Sequence, residues 1–228
     1  MIVKTTEIER YDNFTTLIYS APGKGKTTML TGLKGKTLVL SADGMYRVLA
    51  GVENIDVFVI NPKKAHEELI RFLEYFYKHK SEYDSIGIDN ISTYQKMWLN
   101  EVGRGNKSGM PELRDYGVID RILFDTILDL KNHNKNLIIF AHEKQVEITR
   151  ESGGVYTQFQ PDVRNLQAIM GITPVVGRLV IVPNKENKQD ERLIVLQPTE
   201  STLAKDQLIG NIRAIPQMEL FKTLQERG

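Results

Sequence analysis

The chain of 228 residues contains no cysteine, which excludes disulfides, thiolate nucleophiles and cysteine-based zinc sites. It has no run of about 18 apolar residues, so no membrane-spanning helix is expected. The opening stretch, Met1-Ile2-Val3-Lys4-Thr5-Thr6-Glu7, lacks an apolar signal segment, and the expected location is the cytoplasm. Charge of one sign is missing too: 30 Lys and Arg stand against 29 Asp and Glu, a net +1. A near-neutral chain has no global field to attract nucleic acid, so any such surface must be local. What is present is ordinary for a globular protein. With 41% hydrophobic and 26% charged residues the chain can bury a sizeable core. No internal repeat, low-complexity tract or clear linker interrupts it, so a single domain over 1–228 is expected.

One stretch organises the rest: Leu17-Ile18-Tyr19-Ser20-Ala21-Pro22-Gly23-Lys24-Gly25-Lys26-Thr27-Thr28-Met29-Leu30. An apolar strand runs into a glycine-bearing turn, and Gly-Lys-Thr-Thr opens a helix, the setting of a phosphate-binding P-loop. Gly23 and Gly25 lack Cβ atoms, so φ > 0 is open to them and several backbone N–H groups can converge on one point. The following helix, expected to reach about Gly32, adds the positive end of its dipole. Pro22, Gly23, Lys24, Gly25, Lys26, Thr27 and Thr28 are the expected ATP-binding set. Lys26 reaches the β- and γ-phosphates, and the Thr27 hydroxyl is a ligand for Mg²⁺. The pattern G-x-x-x-x-G-K-[ST] has one departure, Ser20 where its first glycine falls.

Alternating strands and helices fill the chain up to His142. Strands are expected at 15–19, 36–40, 57–60, 83–89 and 137–142. Helices are expected at about 63–78, 93–102 and 112–132, the last with an apolar line of Leu113, Tyr116, Ile119, Leu123, Ile127 and Leu130. This predicts an α/β fold with a mostly parallel sheet covered by helices on both faces. From Val146 the texture changes to antiparallel hairpins added to that sheet. Val146–Arg150 and Val155–Phe159 alternate around Ser152-Gly153-Gly154. A short helix at about 162–170, strands at 177–182 and 192–196, and a last helix at about 216–225 complete the chain.

Three polar residues end apolar strands. Asp89, after Ile86-Gly87-Ile88, is the expected Walker B carboxylate and metal ligand, alongside Thr27. Asp43, after Leu38-Val39-Leu40-Ser41-Ala42, is the candidate base for the attacking water, since Asn90 leaves no carboxylate directly after Asp89. His142 ends the strand expected beside Walker B and is a candidate sensor of the γ-phosphate. Catalysis is thus assigned to Asp43, Lys26 and His142. Two loops carry cations, and the second adds aromatics: Arg104 and Lys107 in 103–111, and Lys144, Arg150, Tyr156 and Phe159 in 143–161. That mixture suits single-stranded nucleic acid, whose phosphates meet charge and whose bases stack on rings.

These motifs give the chain a resemblance over roughly residues 14 to 215. It resembles the RecA-like P-loop ATPases, and more closely the small phage ATPases of the Sak-type single-strand annealing or recombination group. The resemblance rests on Ser20 to Thr28, Leu40-Ser41-Ala42-Asp43-Gly44, Ile86-Gly87-Ile88-Asp89-Asn90, Ile139-Phe140-Ala141-His142-Glu143 and Ala204-Lys205-Asp206. Where the RecA class carries its catalytic Glu, Asp43 is one methylene shorter. The resemblance implies a RecA-like fold with ATP and Mg²⁺ as cofactors. It also implies self-association into a ring or filament in which a neighbour's cation completes the site. Lys185 and Lys188 match that position; Arg178, Lys205 and Arg213 compete. Single-stranded DNA and a phage single-strand-binding protein are the implied partners, with no membrane. The expected function is a Mg²⁺-dependent, DNA-stimulated ATPase assisting recombination or annealing. The alternatives are a nucleotide-gated interaction protein and a small-molecule or nucleotide kinase.

Overall fold

The computed structural model describes residues 13–183 and 190–227. Five strands, β1 (Thr15–Ser20), β2 (Thr37–Ser41), β3 (Ile55–Val59), β4 (Ser85–Asp89) and β5 (Asn136–Arg150), alternate with helices α1 (Ala65–His79), α2 (Ile91–Gly105) and α3 (Leu113–Lys131). Then follow β6 (Gly154–Pro161), α4 (Leu166–Ile172), β7 (Val175–Pro183), β8 (Asp190–Val195), β9 (Lys205–Asp206), β10 (Ala214–Pro216) and α5 (Leu220–Gln225). The sheet runs β10-β8-β7-β1-β5-β4-β2-β3, with β6 paired to β5 and β9 to β7 off this path. From β7 to β3 every pairing along it is parallel.

Side-chain alternation sends successive residues of each central strand to opposite faces. Leu17, Tyr19, Leu38, Leu40, Leu137 and Ile139 pack with Phe72, Trp98 and Leu123 from α1, α2 and α3. Ile18, Val39, Ile138 and Phe140 face the other way, against Met29, Leu30, Phe221 and Leu224. A strand buried on both faces needs a continuous apolar run, which is why these segments read as they do. The α/β class and the largely parallel sheet agree with the sequence.

Several expectations change. The P-loop opens only a 3₁₀ helix, Thr27–Gly32, and Gly35 at φ 80° turns the chain toward β2. The Val146 segment is the outer half of a 15-residue β5, and β5 and β6 form a ribbon off the main strand order. β7, expected among antiparallel additions, instead lies parallel to β1, because α4 carries the chain across before it re-enters the sheet. β8, β9 and β10 are the antiparallel additions on this side of the sheet. Helix α2 extends through Gly105 and so absorbs Gly103 and Arg104 from the expected loop; a Cβ at Gly103 would meet Pro111 at 2.9 Å. Leu113 is 89% exposed, not part of the buried line, because it is the first residue of α3 after a Glu112/Asp115 capping box. The helix expected from Asp162 begins at Leu166, since the Asp162 backbone is bonded to His142, Ser92 and Gln95. No described helix is long and apolar enough to cross a membrane.

Candidate functional site

Parallel strands bring their C-terminal tips to one edge, where open α/β sheets hold their ligands. Here β2, β4, β5 and β1 lie side by side, with Ser41 paired to Asp89 and Ser20 to His142. A cavity of about 820 Å³ opens above that edge. Pro22, Gly23, Gly25, Lys26, Thr27, Thr28, Asp43, Asp89 and His142 all line it. Of the expected binding residues, Lys24 is half-buried and outside the lining.

The loop has the backbone its sequence requires. Gly23 and Gly25 sit at φ 76° and 98°, a region costly for residues with a Cβ. Ser20 causes no strain: it is the last residue of β1, and its Oγ accepts from Lys26 Nζ at 2.9 Å. Lys26 Nζ also donates to the Ser20 and Ala21 carbonyls at 3.1 and 3.3 Å. Burial holds its pKa below the usual lysine value, while the Asp89 and Asp43 charges oppose that shift. A helix dipole contributes little here, since the following helix is one short 3₁₀ segment.

Asp89 lies at the floor, 2% exposed. Thr27 Oγ1 donates to its Oδ2 at 2.6 Å. Burial raises its pKa to about 6, reinforced by the Asp43 charge and opposed by the Thr27 bond and by Lys26. A hydroxyl and a carboxylate in contact are the hard oxygen donors that suit Mg²⁺, which keeps its remaining positions for water and phosphate. Among the described residues no cluster of three or more His, Cys, Asp or Glu offers a fully protein-built metal site.

Asp43 and His142 are joined by Asn90, which was not among the expected site residues. Asn90 Nδ2 donates to Asp43 Oδ2 at 2.8 Å and lies 3.2 Å from His142 Nε2, while its Oδ1 caps α2 by accepting from Thr93 N. The other Asp43 oxygen accepts from Met45 N. His142 is held below its usual pKa by burial first and by Lys26 second, so the ring is neutral near pH 7. An Asn just before a helix is a cap signal, and placing the helix at Thr93 hid it.

A family model described as an AAA domain matches residues 12–208. The chain belongs to the AAA domain family. That is a family of nucleotide-binding ATPase domains. Among solved structures, the chain is similar to a KaiC-like protein from the hyperthermophilic archaeon Pyrococcus horikoshii OT3, at 14% identity and a TM-score of 0.46, over 89% of this chain and 88% of that one. No curated protein sequence matches the chain.

Other expected site residues of this AAA domain lie elsewhere. Arg178 is largely buried, bonded to Glu143 at 2.8 Å and set 3.5 Å over the Phe159 ring. Lys205 donates to the Met170 carbonyl, and Lys131 to that of Ile172, so both neutralise the C-terminal end of α4. Asp206 accepts from the Leu208, Ile209 and Gly210 amides, which gives the Ala204-Lys205-Asp206 run a structural role. Arg213 is exposed. Lys185 and Lys188 lie outside the described residues. In the loops, Arg104 is on α2, Lys107 is exposed, and Arg150 stacks on Tyr156. Lys144, with Lys96 and Arg164, lines a second cavity of about 620 Å³. Its wall is tied to the first: His142 N donates to Ser92 Oγ, and Ser92 Oγ donates to the Asp162 carbonyl at 2.7 Å.

Proposed function

We propose that this AAA domain, acting as a single domain of the phage Sak-type group, is a Mg²⁺-dependent ATPase that binds single-stranded DNA and assists phage-type recombination or strand annealing. The observation that carries the reading is the continuous contact chain Asp43–Asn90–His142–Ser92–Asp162, which leads from the nucleotide cavity to the second cavity and its cations. When bound, Mg²⁺ held by Thr27 and Asp89 supplies charge neutralisation at the phosphate oxygens. Lys26 exchanges the Ser20 and Ala21 oxygens for phosphate oxygens. Asp43 accepts a proton from the attacking water, with Asn90 fixing its orientation. Asn90 also fixes His142 as an acceptor at Nε2, so a shift of either reaches Ser92 and the base of the β5–β6 ribbon. Met45, Val48 and Met218 supply an apolar rim suited to a nucleobase.

Self-association into a ring or filament belongs to the same proposal. The Glu143 partner of Arg178 favours Lys185 or Lys188 as the cation offered to a neighbour. The test is ATP turnover with and without a single-stranded oligonucleotide, with Lys26→Ala as control. Stimulation by DNA, and tighter salt-sensitive DNA binding with a non-hydrolysable ATP analogue, are expected; indifference of DNA binding to nucleotide contradicts the DNA role. A second reading, a nucleotide-gated interaction protein without turnover, is favoured by one feature: both Asp43 oxygens are already hydrogen-bonded. It predicts negligible turnover, unchanged in Asp43→Ala.

A further inference from the structure

The structure assigns a further phosphate-contacting cation to the nucleotide cavity: Arg192 on β8, supplied by the chain to its own site. The inference rests on the nucleotide reading above and adds a residue outside the P-loop. Because β8 runs antiparallel to β7, its first residues lie at the edge where β1 ends. Arg192 pairs with Ile181, near the C-terminal end of β7. From there its side chain lines the cavity with Lys26 and Thr28.

Gly25 shows how close the approach is. A Cβ built there would lie 3.0 Å from Gln217 Nε2 and 3.8 Å from Arg192 Nε. Gln217 Nε2 donates to the Gly25 carbonyl at 2.6 Å, so this wall of the loop is fixed by a buried side chain, and Arg192 stands beside it. The charged lining residues are Lys26 and Arg192 against Asp43 and Asp89. Lys26 is already attracted to both carboxylates, whereas no described residue hydrogen-bonds or ion-pairs the Arg192 guanidinium. A phosphate chain brings several negative charges into a cavity whose own charges balance. The planar guanidinium fork is the side chain best shaped to take up two phosphate oxygens. The ligand class is therefore the phosphate chain of a nucleoside di- or triphosphate.

Titration calorimetry with Mg-ADP and with inorganic pyrophosphate tests this on the full chain. Arg192→Gln is expected to weaken both by about tenfold or more, Arg192→Lys by less, with melting temperatures without ligand unchanged. Parent-like affinity in Arg192→Gln, while Lys26→Ala abolishes binding, overturns the proposal and leaves the nucleotide site standing. Loss with ADP but none with pyrophosphate overturns the phosphate contact. If Lys26→Ala also binds like the parent, the nucleotide reading falls first. Mixing Lys26→Ala and Arg192→Gln chains separates cis from trans: no recovery of affinity is expected, and recovery shows that Arg192 serves a neighbour's site.

Discussion

At the scale of single residues, Asp89 carries a charge the fold holds at a cost. Its carboxyl has a pKa near 6 in the folded chain, against the ordinary value of 3.8. Between those values the folded state binds more protons than the unfolded one, so this group's contribution to stability falls as pH rises from about 4 to about 6 and stays low above. Asp89→Asn removes that penalty. The variant is expected to be more stable than the parent at pH 8 by roughly 2–3 kcal/mol and little different at pH 4, as urea midpoints will show. Its affinity for Mg-nucleotide should fall, since the metal needs the ionised form. Asn90→Ala loses a helix cap and leaves Asp43 and His142 without their common partner, so a loss of about 1–3 kcal/mol in urea melts is expected. The P-loop, Asp43, Asp89 and His142 could be read from sequence because each is a polar residue or glycine at the tip of an apolar run. Arg192 and Gln217 could not. They reach the cavity through tertiary contacts, Gln217 across 192 positions, and no local pattern marks such a distance. Asn90 carried a local cap signal, but nothing local marked its bonds to Asp43 and His142.

At the scale of elements, the strands with continuous apolar runs were legible and the helices only roughly so. Helix α1 buries Ala65, Leu69, Phe72 and Phe76 on the face its periodicity announces. Phe72 is fully buried, in edge-on contact with Phe58, so Phe72→Ala should cost about 3–5 kcal/mol in equilibrium unfolding. Boundaries failed where a side chain or backbone group was claimed by something distant: Gly103 by Pro111, and Asp162 by Ser92 and Gln95. Helix α4 is the clearest case. Seven residues form no stable helix alone, and its last carbonyls are taken by Lys131 and Lys205 from other elements. Lys205→Met should therefore lower stability by about 1 kcal/mol, read as a urea midpoint, without altering nucleotide affinity.

At the scale of the whole molecule, the sheet order decides what the sequence could only suggest. Placing β5 between β1 and β4 brings His142 to Asn90, the residue after Asp89, and puts the root of the β5–β6 ribbon next to the cavity. The parallel return of β7 was hidden, because nothing in an apolar run states its direction; only the α4 crossover fixes it. That return also carries β8, and with it Arg192, to the edge where β1 ends. The central claim is that the cavity above this edge grips a triphosphate through the Gly23–Thr28 backbone and the Lys26 ammonium. Titrating Mg-ATP into the parent chain and into Lys26→Ala by calorimetry tests it most directly. The account predicts saturable heat with one site per chain for the parent and at least a tenfold weaker association for the variant. Indistinguishable isotherms, or no heat from folded parent protein, would contradict it.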